Sequence, residues 1–279
     1  MTVSEDALGT VRGHWRPQGA SGNRRLLIGS HIDTVIDAGR YDGPLGVITA
    51  ILAVEHLVAR KAKLPFAIDV LAFGDEEGSR FRSTLASSSA CAGIFDGASL
   101  ACPDRNGVTL AQAIEAYGKN VSDIPKAAYA RNEAAAYVEL HIEQGPVLEA
   151  ENLPLGVVTS IVGQNRMRVV VLGEAGHAGT VPMPMRHDAL TGAAEIVLAI
   201  ERVAKDYAAD NMVATVGRIE ASPGASNVIA GRVGFSLDLR SATDALRKAA
   251  IEQIRGEAKR SALRPRAGSK SRSSRSTKR

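Results

Sequence analysis

The sequence predicts an α/β protein: a mostly parallel sheet covered by helices, followed by a smaller α+β domain. Three observations carry this. The first half alternates apolar runs with helical stretches, as in "RRLLIGS", "GVITAILAVEHLVARK" and "FAIDVLAFG". Strands apolar throughout are buried on both faces, the habit of parallel sheets. Histidines and carboxylates gather at the C-terminal ends of these runs, where open α/β sheets bind ligands. From about Gly163 the texture changes to alternating strands and long amphipathic helices.

Taken in order, "RRLLIGS" reads as a short buried strand, "GVITAILAVEHLVARK" as a largely apolar helix and "FAIDVLAFG" as a second strand. A Ser/Ala/Gly-rich stretch, "STLASSSACAG", precedes a helix near "TLAQAIEAYG" and the strand "AAAYVELHI". After the change, "NRMRVVVLGEAGHAG" is a strand entering a glycine loop, and "RHDALTGAAEIVLAIERVAKDYA" a long amphipathic helix. "MVATVGRIEAS" and "RVGFSLDLRS" read as two strands joined through "PGASNVIAG", and "TDALRKAAIEQIRGEAKR" as a closing helix. The predicted divisions are 1–163, 164–262 and a basic tail, 263–279. That tail has few apolar residues, so disorder is expected.

Composition narrows the function classes. No run approaches the roughly 18 apolar residues of a membrane span. "MTVSEDALG" is polar and acidic rather than leader-like, and Cys91 and Cys102 form no disulfide framework or zinc knuckle. A reducing cytoplasm is the expected compartment. The formal charge of +4 is concentrated at one end: residues 255–279 hold ten Lys/Arg and one acid, leaving 24 basic against 29 acidic side chains elsewhere. A mildly acidic body argues against specific nucleic-acid binding, and no membrane partner is expected.

Four segments carry the chemistry. "SHIDT" offers His31 and Asp33, "YDGPLG" offers Asp42 before a helix, "FGDEEGS" offers Glu76 and Glu77, and "ELHIEQG" offers His141. Imidazole nitrogen and carboxylate oxygen suit zinc, manganese or cobalt, and a carboxylate can join two ions. Asp33 is placed to hold the second nitrogen of His31. Of Glu76 and Glu77, one would bind metal and the other handle a proton. Each motif alone is more often a solvated turn; the repetition at four element ends favours metal, because burying so many carboxylates without cations is costly.

The segments "GSHIDTV…YDGPLGV", "DEEGSRF", "HIEQGPVLE", "GHAGTVPM…R-x-DAL" and "SNVIAG…DLR" resemble the M20 metallopeptidase family, and within it the amidase/carbamoylase branch. The resemblance implies a di-metal catalytic domain with an inserted lid and dimerisation domain, and hydrolysis of the ureido or carbamoyl C–N bond of a small ureido acid. Allantoate ranks first, N-carbamoyl-L-amino acids and β-ureido acids second, and peptides third. It makes His31, Asp42 and His141 ligands of one ion with Asp42 shared, Glu77 a ligand of the second, and Glu76 the general base. His177 would polarise the substrate carbonyl in a partner subunit of a homodimer. Gln144, Asn227 and Arg240 would contact substrate, the last by a bidentate fork on its carboxylate. Two divalent ions are implied, zinc or manganese first, cobalt or nickel as alternatives.

Without the resemblance, Arg240 reads more readily as a surface ion-pair partner and His177 as an exposed loop residue. His14, His56 and His187 read as structural or solvated. The family pattern implies a last histidine for the second ion, but none follows His187. Helices expected before the first strand are also missing. The expectation is therefore a truncated chain with an impaired second site and an out-of-frame tail. A reading of another class is a non-catalytic remnant that dimerises through its lid.

Overall fold

The computed structural model describes residues 1–263. The chain divides into two compact units, Met1–Leu155 and the segment from Gly156 onward.

In the first unit, β1 (Thr2–Glu5), β2 (Val11–Trp15) and β3 (Arg25–His31) lead into α1 (Pro44–Ala59) and β4 (Ala67–Phe73). Then come α2 (Ala86–Cys91), α3 (Leu110–Ala116), β5 (Ala134–Val138) and the single turn α4 (Val147–Ala150). The sheet order is β1-β2-β4-β3-β5. β3 runs parallel to both β4 and β5, whereas β1–β2 and β2–β4 are antiparallel. The sheet is therefore mixed, with its parallel part where the candidate ligands cluster. The antiparallel strands lie in a segment where no strand is expected from the sequence: "TVSE" is wholly exposed, and "VRGHW" interrupts its alternation with glycine and histidine.

Helices cover both sheet faces. Ala50 and Val54 of α1 pack with Ile68, Val70 and Ile28 on one face. Leu27, Leu71, Phe73 and Cys91 close the other. β4 is buried at every position, including Asp69. That carboxyl group is satisfied by the Tyr129 hydroxyl at 2.7 Å, His14 at 2.5 Å and Arg25 at 3.3 Å, as a polar group away from water requires.

In the second unit, β6 (Gly163–Leu172) begins where the sequence texture changes and leads to the two-residue β7 (Gly176–His177). α5 (Ala189–Asp206), β8 (Val213–Thr215), β9 (Ile219–Ser222), β10 (Val228–Ile229), β11 (Arg232–Ser241) and α6 (Asp244–Leu263) follow. β11 is central, antiparallel to β6, β8 and β9. The single strand expected over "MVATVGRIEAS" is broken between β8 and β9, where Arg218 and Ser236 exchange backbone and hydroxyl hydrogen bonds.

α5 starts at Asp188, whose carboxylate accepts from the amides of Leu190 and Thr191, a side-chain N-cap. Its buried residues Ala189, Ala193, Ile196, Ile200 and Val203 recur every three or four positions, with Ala199 beside them, giving one apolar stripe. That stripe meets Val233, Phe235, Leu237 and Leu239 of β11 and Ala250, Ile251 and Ile254 of α6. α6 runs to Leu263, one residue into the predicted tail; the rest of that expected disorder, 264–279, lies outside the described residues. Among the described residues no helix is long and apolar enough to cross a membrane.

Candidate metal centre

His31 is the last residue of β3 and is buried. Asp42 precedes α1, with its side chain 1% exposed. Gly43 and Pro44 explain how the two come together. Gly43 adopts φ +83°, and a Cβ there would stand 2.4 Å from His31 Nδ1 and 2.5 Å from the His31 carbonyl oxygen. Only glycine permits that approach. Pro44 then opens the helix where its missing N–H costs nothing. His141 follows β5 and completes the group: His31, Asp42 and His141 place one ligand atom each within 4.8 Å of one another.

The proton positions on the two imidazoles follow from their partners. His31 Nδ1 lies 2.6 Å from the Asp33 carbonyl oxygen, and His141 Nδ1 lies 2.8 Å from that of Ile142. A carbonyl only accepts, so each Nδ1 carries an N–H, and in the neutral tautomer that this selects the Nε2 lone pair points outward. These Nε2 atoms face each other at 3.0 Å. The Asp42 carboxylate stands 3.4 Å from His141 Nε2, and Glu77 Oε1 3.6 Å from His31 Nε2. Facing lone pairs beside a buried carboxylate repel unless a cation lies among them. The donor set, two imidazole nitrogens and carboxylate oxygen, fits a divalent ion.

Around this core the other expected residues are placed as follows. Asp33 supports His31 through its backbone carbonyl, not through the side chain expected from the sequence. Its carboxylate instead accepts from the amides of Glu76 and Glu77, both at 3.0 Å, and fixes the turn that carries them. Gln144, in a left-handed conformation at φ +55°, donates from Nε2 to Asp42 Oδ1 at 2.7 Å. Thr34, not anticipated from the sequence, donates its hydroxyl to Asp42 Oδ2 at 3.2 Å. Burial and the neighbouring Asp33 push the Asp75 carboxyl up to about 6.

Glu76 is buried among serines. Its Oε1 accepts from the Ser87 hydroxyl at 2.5 Å and the Ser88 amide at 2.7 Å, and its Oε2 from the Ser88 hydroxyl at 3.0 Å. Beyond the serine content of "STLASSSACAG", no sequence signal anticipates these contacts. The stretch folds as α2, entered through Leu85 in a left-handed conformation.

In the second unit, His177 and Asn227 are neighbours: the Ala178 amide donates to the Asn227 carbonyl, and His177 pairs with Val228 across β7–β10. His177 is exposed, and its Nδ1 accepts from the Gly179 amide at 3.1 Å, which leaves the proton on Nε2. Arg240 does not join them. His177 and Asn227 lie beyond the Arg232 end of β11, and Arg240 is at the other end, opposite Gln164. Eight residue steps at about 3.4 Å each separate those ends by roughly 27 Å. Arg240 is partly exposed and ion-paired with Asp238, the surface-pair arrangement that its sequence alone suggested. His56 is exposed on α1, as expected for a solvated residue.

Residues 27–273 match the peptidase family M20/M25/M40. The chain belongs to this family. It is 44% identical over 270 residues to the allantoate deiminase of Arabidopsis thaliana, covering 89% of this chain and 51% of that protein. It is 41% identical over 241 residues to the N-carbamoyl-L-amino acid amidohydrolase of Geobacillus stearothermophilus, covering 86% and 58%. Among solved structures, a hydantoinase/carbamoylase family amidase from Burkholderia ambifaria superposes with a TM-score of 0.84 at 36% identity, over 94% of this chain and 63% of that one. This M20 chain thus spans about half the length of the curated relatives it matches.

Proposed function

We propose that this chain is a metal-dependent amidohydrolase acting on the ureido C–N bond of a small ureido acid, allantoate in the first instance. The observation that carries the proposal is the pair of Nε2 atoms facing each other at 3.0 Å beside buried Asp42. His31, Asp42 and His141 would hold one ion. Glu77, with Asp42 shared, would hold a second, more weakly, since among the described residues Glu77 lies outside the close group of His31, Asp42 and His141. A bound divalent ion supplies Lewis acidity and a water acidic enough to deprotonate near neutrality.

The chain's own groups do the rest. Glu76 Oε2, with one hydrogen bond against two on Oε1, keeps a lone pair for the proton of the attacking water. It then returns that proton to the departing nitrogen. Attack on the ureido carbon breaks a C–N bond, and R–NH–CO–NH2 plus water gives R–NH2, ammonia and carbon dioxide. His177, with its proton on Nε2, is the donor for the developing oxyanion. Arg240 and Asn227 bind the substrate carboxylate and its neighbouring polar groups, with Gln144 beside Asp42. No small ureido acid bridges the roughly 27 Å between the strand ends that carry Arg240 and Asn227. Their joint use would draw them from two copies, which supports the homodimer in which His177 acts in trans. Zinc or manganese in a cytoplasmic enzyme accords with the imidazole–carboxylate set and the free thiols.

The test is ammonia release by the metal-loaded chain from allantoate and from N-carbamoyl-L-amino acids. Metal-dependent release, faster with allantoate, is expected. Faster turnover of the carbamoyl amino acids would transfer the assignment to the second activity named among the relatives. No release from either by a folded, metal-loaded dimer would overturn the proposal.

A further inference from the structure

The open face of the second unit's sheet carries a three-residue charge array that the reaction scheme above does not use in full. Alternation along β11 builds it: Leu237 and Leu239 are sunk in the core, so Asp238 and Arg240 share the opposite face. Arg240 Nε donates to Asp238 Oδ1 at 3.0 Å and Nη2 donates to Oδ2 at 3.1 Å. Asp238 stands directly opposite Arg166 of β6, whose Nε is 3.5 Å from Oδ2. Two guanidinium groups share one carboxylate, and the array keeps a net positive charge.

A guanidinium is a rigid plane with five donors and more than one edge that matches a carboxylate. Asp238 occupies the edge formed by Nε and Nη2. The end edge, Nη1 with the second proton of Nη2, remains, and Nη1 has no hydrogen-bond partner among the described residues. The cross-strand neighbours of Arg240 are Gln164 and Val213, neither of them acidic. The contact is also partly exposed, so it adds little to folding stability, and its loss should leave the fold intact.

We propose that Asp238 is a positioning residue: by clamping one edge of the Arg240 guanidinium, with Arg166 steadying Asp238, it presents the end edge to the carboxylate of a ureido acid. This rests on the reading of Arg240 as the carboxylate anchor. The opposite sense of the same contact would be a latch, with Asp238 competing against substrate. The two differ in sign. A clamp removed leaves a freely rotating side chain that binds more weakly, whereas a latch removed leaves one that binds more tightly.

The experiment is nitrogen-15 NMR of the arginine side chains in the full zinc-loaded chain, titrated with N-carbamoylglycine and, separately, with its amide. In the parent protein, the Arg240 Nε–H should exchange slowly. The acid should shift the Nη signals while the Nε–H persists, and the amide should not. Asp238→Asn should weaken binding of the acid by about 5- to 10-fold, the net worth of about one ordinary hydrogen bond, and should speed Nε–H exchange. Arg166→Ala should weaken it less. Tighter binding in Asp238→Asn would establish the latch and overturn the clamp, as would unchanged affinity with an unchanged Arg240 signal. If acid and amide act alike on the parent, or neither touches Arg240, the anchor reading falls and takes this inference with it. That failure appears before any substitution is made.

Discussion

Replacing Asp42 by asparagine probes the metal centre most directly. The carboxylate is almost wholly buried, 3.4 Å from His141 Nε2, and shares a 4.8 Å neighbourhood with both imidazoles. Its charge is what a divalent ion would meet there. Removing one member of a buried charge pair costs about 3–5 kcal/mol; asparagine still offers one oxygen, so about 2–4 kcal/mol, or 30- to 1000-fold in affinity, is expected. In the parent, zinc at a hundred times its Kd adds about 2.7 kcal/mol of stability. For a unit of about 150 residues that is roughly 5–10 °C in Tm. In Asp42→Asn the same zinc concentration should raise Tm by no more than about 3 °C. Scanning calorimetry of both proteins, with and without zinc, measures the shifts directly. An equal zinc-induced shift in both would refute the reasoning, and so would no shift in the parent.

Other substitutions separate the roles of neighbouring groups. Glu76→Gln should retain tightly bound metal and lose about 10²–10⁴-fold in turnover; Glu77→Gln should lower the occupancy of the weaker ion, and identical metal content in the two variants would contradict the division. Gly43→Ala forces a Cβ against His31 at a positive φ, so a loss of about 2–4 kcal/mol in urea unfolding is expected from backbone strain plus overpacking. A loss below about 0.5 kcal/mol would show that the turn yields freely. Burial pushes the Cys91 thiol up to about 11, so at pH 8 it stays protonated and shielded. Alkylation there should modify Cys102 alone in the native chain and both thiols in urea; rapid native modification of Cys91 would count against the packing.

Where one period dominates, the fold is legible in the sequence. β4 is apolar but for Asp69, β11 alternates, α5 carries a helical stripe, and each lies within a few residues of its expected place. The antiparallel strands β1 and β2 carry no such signal, because an exposed edge strand has no face that must be apolar. β2 gains its place from the β4 backbone and from the His14–Asp69 contact, a partner 55 residues away. The split of β8 from β9 depends on where Ser236 meets Arg218, which no local pattern encodes.

The candidate centre divides along the same line. Residue types and their places at the ends of strands or the start of a helix marked His31, Asp42 and His141, which the structure brings together, because the chemistry of a ligand lies in its side chain. What the sequence could not supply was direction. Asp33 is two residues from His31, yet its carboxylate turns to the Glu76–Glu77 backbone and only its carbonyl meets the imidazole. Arg240 is the right residue type at a strand end, yet its fork is half taken by Asp238. In both cases the deciding contact involves a backbone atom or a side chain two positions away on the same face, and the turn or pleat settles it. The same geometry turns a list of ligand types into a physical requirement. With both Nδ1 atoms turned to carbonyls, neutral rings present two acceptors at 3.0 Å beside a buried carboxylate, an arrangement that a cation between them would satisfy.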